Sequence, residues 1–107
     1  MSRIQLSRAT ERDRRDIMDF TIARFGPSQA RRVRDALEQT LRRLLESPGL
    51  GRTNPELDPP GHTLRYYVLL RTFVIVYESV PDGIRVARLL HGARDVAREL
   101  GGDVGDE

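Results

Sequence analysis

The hydrophobic period of this chain changes once, and the change falls on a stretch dense in proline and glycine, Ser47–Gly61. Before that stretch, apolar residues recur every three or four positions, a spacing that predicts amphipathic helices. After it, runs rich in Val, Ile, Tyr and Phe are separated by short turn signals, a pattern that predicts β-strands. The sequence therefore predicts an α+β domain, with the proline- and glycine-rich stretch as a long loop without regular structure.

The first half of the chain predicts one short strand and two helices. Alternating apolar residues predict a strand over Arg3–Ser7, which we expect at an edge of the sheet. Thr10 is positioned to cap a first helix over Glu11–Phe25, with Asp13 completing a capping box. A Gly-Pro pair then ends this helix, and a second helix is expected over Ser28–Glu46. The short connection makes the two helices an antiparallel hairpin.

Each predicted helix carries an apolar stripe that should face a common core. In the first helix, Ile17, Thr21 and Phe25 recur at four-residue spacing. The stripe of the second helix comprises Ala30, Val33, Leu37, Leu41, Leu44 and Leu45. We therefore expect the hairpin to bury these residues against the sheet.

The second half predicts three consecutive antiparallel strands that form a meander, over His62–Leu70, Thr72–Val80 and Gly83–Leu90. A short helix is expected over residues 93–100. The remaining residues, 101–107, are acidic and rich in glycine, so they are expected to be a flexible tail. With 107 residues, the chain predicts one domain, residues 1–100, followed by this tail.

The middle strand of the predicted meander is apolar on both faces. Phe73, Ile75 and Tyr77 alternate with Val74 and Val76 along it. A helical hairpin can cover only one face of such a sheet. We therefore expect the other face to remain open until a partner buries it.

Composition removes several classes of function. The chain has no Cys and only two His, without ligand spacing, so neither a metal site nor a cofactor is predicted. No apolar run approaches the ~20 residues that span a bilayer, and the start lacks a signal-peptide pattern, so a cytoplasmic protein without membrane contact is expected. All 18 basic side chains are Arg, yet the net charge is only +2, which does not by itself predict direct binding to nucleic acid.

Four fragments in this order resemble the ParE branch of the RelE/ParE toxins of type II toxin–antitoxin modules: FGPSQA, SPGLGR with ELDPPG, VIVYES, and RLLHGARD. The resemblance spans roughly residues 4–98. It implies a compact toxin that is neutralised by a cognate antitoxin, whose C-terminal segment wraps around it. The resemblance also implies DNA gyrase as the target, since ParE-like members act on gyrase whereas RelE-like members cut mRNA on the ribosome. The expected antitoxin contacts lie on the meander: Leu64, Tyr66, Tyr67, Val74 and Val76.

The nuclease pattern of the RelE-like branch is incomplete in this chain. Cleavage at a ribose 2′-hydroxyl needs a base, a cation for the phosphate and an acid. An arginine of that pattern aligns with Val74, and a second basic position aligns with Tyr67. The terminal tyrosine is also missing, because no Tyr follows Tyr77. We therefore expect a toxin that binds rather than catalyses. The alternatives are an mRNA endoribonuclease and an inactive interaction module, the former with the candidate catalytic residues Arg65, His91 and Arg94.

The expected target-binding residues are the basic side chains of the meander and its C-terminal end. This set comprises Arg65, Arg71, Arg88, His91 and Arg94. We also expect a basic patch at the sheet edge, formed by Arg65, Arg71, Arg85, Arg88 and Arg94. For His91 the alternatives are a cap at the end of its strand or a bond to the loop, a general base, and contact with the target.

Overall fold

The computed structural model describes residues 2–92, which form a helical hairpin packed on one face of a five-stranded sheet. The strand order across the sheet is β1-β5-β4-β3-β2. Strand β1 pairs parallel with β5, and every other neighbouring pair is antiparallel. The elements are β1 (Arg3–Leu6), α1 (Arg8–Phe25), α2 (Pro27–Glu46), β2 (Arg52–Thr53), β3 (Arg65–Leu69), β4 (Phe73–Val80) and β5 (Gly83–His91). The helix expected over 93–100 and the tail expected over 101–107 lie outside the described residues.

The main prediction, two helices followed by an antiparallel meander with the first strand at an edge, agrees with this architecture. The start of the first helix was predicted wrongly. Helix α1 begins at Arg8, because the hydroxyl of Ser7 accepts the backbone N–H of Thr10 at 3.0 Å. Thr10 is instead buried in the first turn, where its hydroxyl donates to the Val86 carbonyl at 2.9 Å. Helix α2 begins at Pro27. Proline is favourable at this position, because the first backbone N–H groups of a helix have no acceptor within the helix and the one that proline lacks is not needed.

The main core lies between the helical hairpin and the sheet. The apolar stripe of α2 is buried there as predicted. In contrast, Phe25 at the end of the α1 stripe is exposed and retains 64% of its accessible surface, and Ile22 beside the stripe retains 48%. Buried residues of this core include Ile17, Val33, Leu37, Leu44, Ile75, Tyr77, Ile84, Val86 and Leu89.

The outer edge of strand β5 is covered first by strand β1 and then by side chains from the start of α1. Strand β1 pairs with its first half, from Arg3 opposite Gly83 to Leu6 opposite Val86. This approach requires Gly83, which has φ = 152° and whose Cβ would collide with the Arg3 carbonyl. Beyond β1, side chains at the start of α1 take over the unpaired backbone groups of β5.

Ser7 and Asp13 provide these side-chain contacts. The Ser7 hydroxyl donates to the Ala87 carbonyl at 2.8 Å, and the Asp13 carboxylate accepts the Leu89 N–H at 3.0 Å. Asp13 was predicted to complete a capping box. That prediction is wrong, because its carboxylate is bound to β5.

The proline- and glycine-rich stretch contains regular structure, contrary to the prediction. It forms two short 3₁₀ helices, Pro48–Leu50 and Pro55–Leu57, and between them the edge strand β2, which pairs with β3. The stretch also covers part of the second sheet face, meaning the face away from the helices. There Leu57 and Leu64 pack with Val74, Val76 and Leu90 in a second apolar cluster. The expected open face is therefore partly closed by the chain itself.

Candidate protein-interaction site

Arg65 holds the loop that leads into β2. It lies at the start of β3, opposite Tyr77. Its guanidinium donates to the Gly51 carbonyl at 2.8 Å and lies 3.4 Å from the Gly49 carbonyl. These contacts place Arg65 in the internal structure of the chain, where it orders the loop.

Tyr77 also stabilises this loop, through hydrogen bonds from its buried hydroxyl to the loop backbone. Its side chain is fully buried, and its hydroxyl donates to the Pro48 carbonyl at 2.6 Å and accepts the Gly51 N–H at 2.8 Å. Burial raises the pKa of Tyr77, although the Gly51 N–H and the nearby Arg65 charge act in the opposite direction. A Cβ on Gly51 would lie 2.6 Å from the Tyr77 hydroxyl, so the contact also explains this glycine. The sequence signal for this role was Tyr77, whose polar hydroxyl follows the apolar run Phe73–Val76.

Arg88 is bound to the first helix. Its guanidinium makes two hydrogen bonds to the Asp13 carboxylate, at 2.8 and 3.0 Å. Both side chains are largely buried, so the pair ties α1 to β5 in a fork geometry that arginine and carboxylate match well. Arg85 is also paired, through Glu78 at 3.2 Å, and the same carboxylate contacts His62 at 3.2 Å.

The predicted basic patch is not assembled in the described part of the chain. Arg65 and Arg71 lie at opposite ends of β3, because Arg71 belongs to the turn that follows it. Arg88 is engaged by Asp13 on the neighbouring helix. Arg94 lies outside the described residues. The four predicted target contacts within residues 2–92 therefore do not form one surface.

His91 and Arg65 are also too far apart to act on one phosphate. Along β4, His91 pairs with Phe73, whereas Arg65 pairs with Tyr77, four residues later. At about 3.4 Å per residue, this offset alone separates the two positions by about 14 Å. A base and a phosphate-binding cation must both reach the same scissile group.

His91 is instead part of an aromatic cluster. Its ring meets the edge of Phe20 with centroids 5.7 Å apart and lies 5.0 Å from the Phe73 centroid. Within residues 2–92, the histidine that contacts a carboxylate is His62, whereas His91 contacts aromatic rings. The histidine is thus set among apolar groups at the end of its strand.

An apolar groove surrounds this histidine, and we call it the aromatic groove. It lies between the C-terminal half of α1, the start of α2, the β3–β4 turn and the end of β5. Its exposed apolar side chains are Phe25 (64%), Leu70 (50%) and Phe20 (44%). This groove was not predicted from the sequence, because Phe25 fits the apolar stripe of the first helix and the β3–β4 turn has no distinctive sequence pattern. The lining residues are Phe20, Thr21, Phe25, Gln29, Val33, Leu70, Thr72, Phe73 and His91.

The five residues predicted to contact an antitoxin are divided between the two sheet faces. Leu64, Val74 and Val76 are buried in the second apolar cluster. Tyr66 lies half-buried in the same cluster, whereas Tyr67 packs against the main core on the helix side. Four of the five residues therefore lie on the second face, and Tyr67 lies on the helix side.

A shallow groove remains on the second face beside the edge strand, and we call it the edge groove. Val68, with 61% of its surface exposed, is its most accessible apolar residue. Tyr66 borders it and donates its hydroxyl to Asp58 at 3.3 Å. Burial, followed by the charge and hydrogen bond of Asp58, raises the pKa of Tyr66 to about 12. Arg52, Thr53, Asn54, Leu57 and Val74 complete the lining.

Residues 2–92 contain no group of three His, Asp or Glu side chains placed to share a metal ion. Among the same residues, neither helix combines the length and apolar character needed to cross a bilayer.

Comparison with known proteins adds a family and a fold. A family model described as "ParE toxin of type II toxin-antitoxin system, parDE" matches residues 4–96. A solved structure titled "Chromosomal ParDE TA system from P. aeruginosa" is similar with a TM-score of 0.69 and 20% sequence identity, covering 86% of this chain and 97% of that chain. At this identity the structural likeness concerns the fold alone. No curated protein sequence matches the chain.

Proposed function

The chain belongs to the family of ParE toxins of type II toxin–antitoxin systems, and we propose that it inhibits DNA gyrase by binding and is neutralised by direct contact with a cognate antitoxin. The observation that carries the proposal is the family match, which extends from within β1 to beyond the end of β5. Gyrase as the target follows from the resemblance of the sequence motifs to the ParE branch.

The positions of the polar candidates support binding over catalysis. Arg65 orders the loop before β2, and Arg88 is held by Asp13. His91 lies at the far end of the sheet from Arg65 and faces aromatic rings. RNA cleavage would require these groups to converge on one phosphate.

For the antitoxin, we propose contact at the edge groove on the second sheet face. Tyr66 and the exposed Val68 would meet it directly, while Leu64, Val74 and Val76 support that surface from below. The adjacent β2 is an edge strand of only two residues, so its outer backbone groups are available for another strand. Tyr67 lies on the helix side and is not part of this proposed contact.

A gyrase supercoiling assay with the purified full chain tests the proposal. We expect the chain to inhibit supercoiling, and the product of an adjacent short reading frame to restore it. Val68→Arg should retain inhibition but resist neutralisation, because it places a charge in the proposed contact. Ile22→Arg is the matched control, as Ile22 is similarly exposed (48%) but lies on α1. Uninhibited supercoiling at concentrations that stop growth would exclude gyrase, and equal neutralisation of both variants would exclude the edge groove.

A further inference from the structure

We infer that the turn between β3 and β4, residues 70–72, is the part of this chain that contacts the target. Leu70 enters an apolar pocket on the target, and Arg71 pairs with a carboxylate at the rim of that pocket. The inference rests on the proposed function, in which the chain acts by binding a target. It goes further by naming the residues that make the contact.

The backbone of this turn has an unfavourable conformation. Leu70 has φ = 52° and Arg71 has φ = 59°, so both residues are left-handed. Within residues 2–92, the other residues with positive φ are glycines, among them Gly83 at the start of β5. Asn and Gly are favoured at such positions, because a side chain on Cβ is strained there. This turn instead keeps a leucine and an arginine, and retained strain of this kind is concentrated at functional sites.

Neither of these side chains is fully used inside the chain. Leu70 keeps 50% of its accessible surface, and Arg71 is exposed. Arg71 makes no ion pair or side-chain hydrogen bond with any of residues 2–92. The other arginines of the meander in this range are each held by another part of the chain, namely Arg65, Arg85 and Arg88. Arg71 is therefore the meander cation that a partner can reach.

Two hydrogen bonds hold the turn in its strained conformation. The Thr72 N–H donates to the Leu69 carbonyl at 3.1 Å, and the Thr72 hydroxyl donates to the Leu70 carbonyl at 3.1 Å. Below them, Leu69 pairs with Phe73 and closes the hairpin. Because the backbone is already ordered, the turn loses little conformational entropy when a partner binds. The hairpin thus presents one apolar and one cationic side chain in fixed positions at an end of the sheet.

The charge of the turn determines the chemistry of its partner. Residues 68–74, VLLRTFV, contain one arginine and no acidic residue. An exposed guanidinium beside an exposed leucine is complementary to a carboxylate beside an apolar pocket. Arginine is also enriched among the few residues that carry most of the binding energy of an interface. We therefore expect inhibition to depend on both Leu70 and Arg71.

A gyrase supercoiling assay with the purified full chain and a turn variant tests the inference. Leu70→Asn with Arg71→Gly installs the favoured turn sequence, so the midpoint of urea unfolding should rise. The concentration that gives half-maximal inhibition should nevertheless rise about tenfold or more, because both contacts are removed. Leu50→Asn is the matched control and should inhibit like the wild type, since Leu50 is similarly exposed (47%) but precedes β2. A turn variant as inhibitory as the wild type would overturn the inference and leave the proposed function intact.

Single substitutions of Arg71 test the chemistry of the partner. Arg71→Lys keeps the positive charge and should need at most about threefold more protein for the same inhibition, whereas Arg71→Glu should need about tenfold more. Equal inhibition by these two variants would overturn the pairing with a carboxylate.

Growth arrest separates this inference from the proposed function. Expressed without a partner, the wild type should arrest growth and the turn variant should not. Growth arrest that the turn variant retains would overturn the inference. Growth arrest by the wild type without inhibition of supercoiling would instead refute gyrase as the target, and its loss in the turn variant would still support the turn as the contact.

Discussion

Removal of one buried hydroxyl, by Tyr77→Phe, should loosen the loop that carries β2. The hydroxyl donates to the Pro48 carbonyl and accepts the Gly51 N–H, and the phenol is fully buried. Each lost hydrogen bond costs about 1 kcal/mol, and a Gly51 N–H left without an acceptor adds to this. We expect the free energy of unfolding to fall by about 2–3 kcal/mol. At ~4–8 °C per kcal/mol for a domain of this size, the melting temperature should fall by roughly 10–20 °C.

Urea unfolding followed by circular dichroism measures this loss, with Tyr67→Phe as the matched control. Tyr67 is half-buried in the adjacent strand, and its hydroxyl makes no hydrogen bond within residues 2–92. Its variant should stay within about 0.5 kcal/mol of the wild type. The reasoning is refuted if Tyr77→Phe is as stable as Tyr67→Phe, because the loop would then be ordered by other contacts.

Two further predictions concern the remaining polar anchors. Asp13→Ala removes the partner of Arg88 and the acceptor of the Leu89 N–H, so the free energy of unfolding, measured in urea, should fall by about 2–3 kcal/mol. Asp13→Asn keeps an acceptor and should lower it less. A loss below about 0.5 kcal/mol for the alanine variant would contradict a structural role of the pair. The pKa of Tyr66 in the folded chain, about 12, lies above the ordinary value of 10, so the unfolded chain releases this proton at lower pH. The free energy of unfolding should therefore fall as pH rises from about 10 towards 12. Tyr66→Phe should lessen that fall, and an identical pH dependence of the two proteins would contradict it.

The elements with long, regular patterns could be predicted from the sequence. Helix α2 buries Val33, Leu37 and Leu44 as its spacing indicates, and β4 is the apolar run of the meander. Local capping signals did not fix where the first helix begins. Ser7 and Thr10 are both good capping residues, and the choice between them depends on the carbonyl of Val86, which lies far away in sequence.

The remaining structure depends on long-range pairing that leaves little trace in local sequence. Strand β2 has two residues, Arg52 and Thr53, and exists because β3 supplies its partner. The roles of Arg65 and Arg88 were also set by distant groups, the Gly51 carbonyl and the Asp13 carboxylate. Arginine patterns in the sequence cannot distinguish such internal anchors from surface cations.

The aromatic groove shows the same limit for a candidate site. Phe20 and Phe25 lie on α1, while Leu70 and His91 belong to a turn and a strand end. The strain at Leu70 could have been suspected, because the turn between two strong strands lacks Gly and Asn. Its nearness to two phenylalanines of a distant helix follows only from the packing of the hairpin on the sheet.

We propose that this toxin acts by binding and does not cut RNA. Incubation of the purified chain in a translation extract, with a reporter mRNA followed by primer extension, tests it most directly. At concentrations that stop growth when the chain is expressed, we predict that the mRNA stays at full length with the wild type and with His91→Ala. Cleavage by the wild type that disappears in a folded His91→Ala variant would contradict the claim and establish an endoribonuclease.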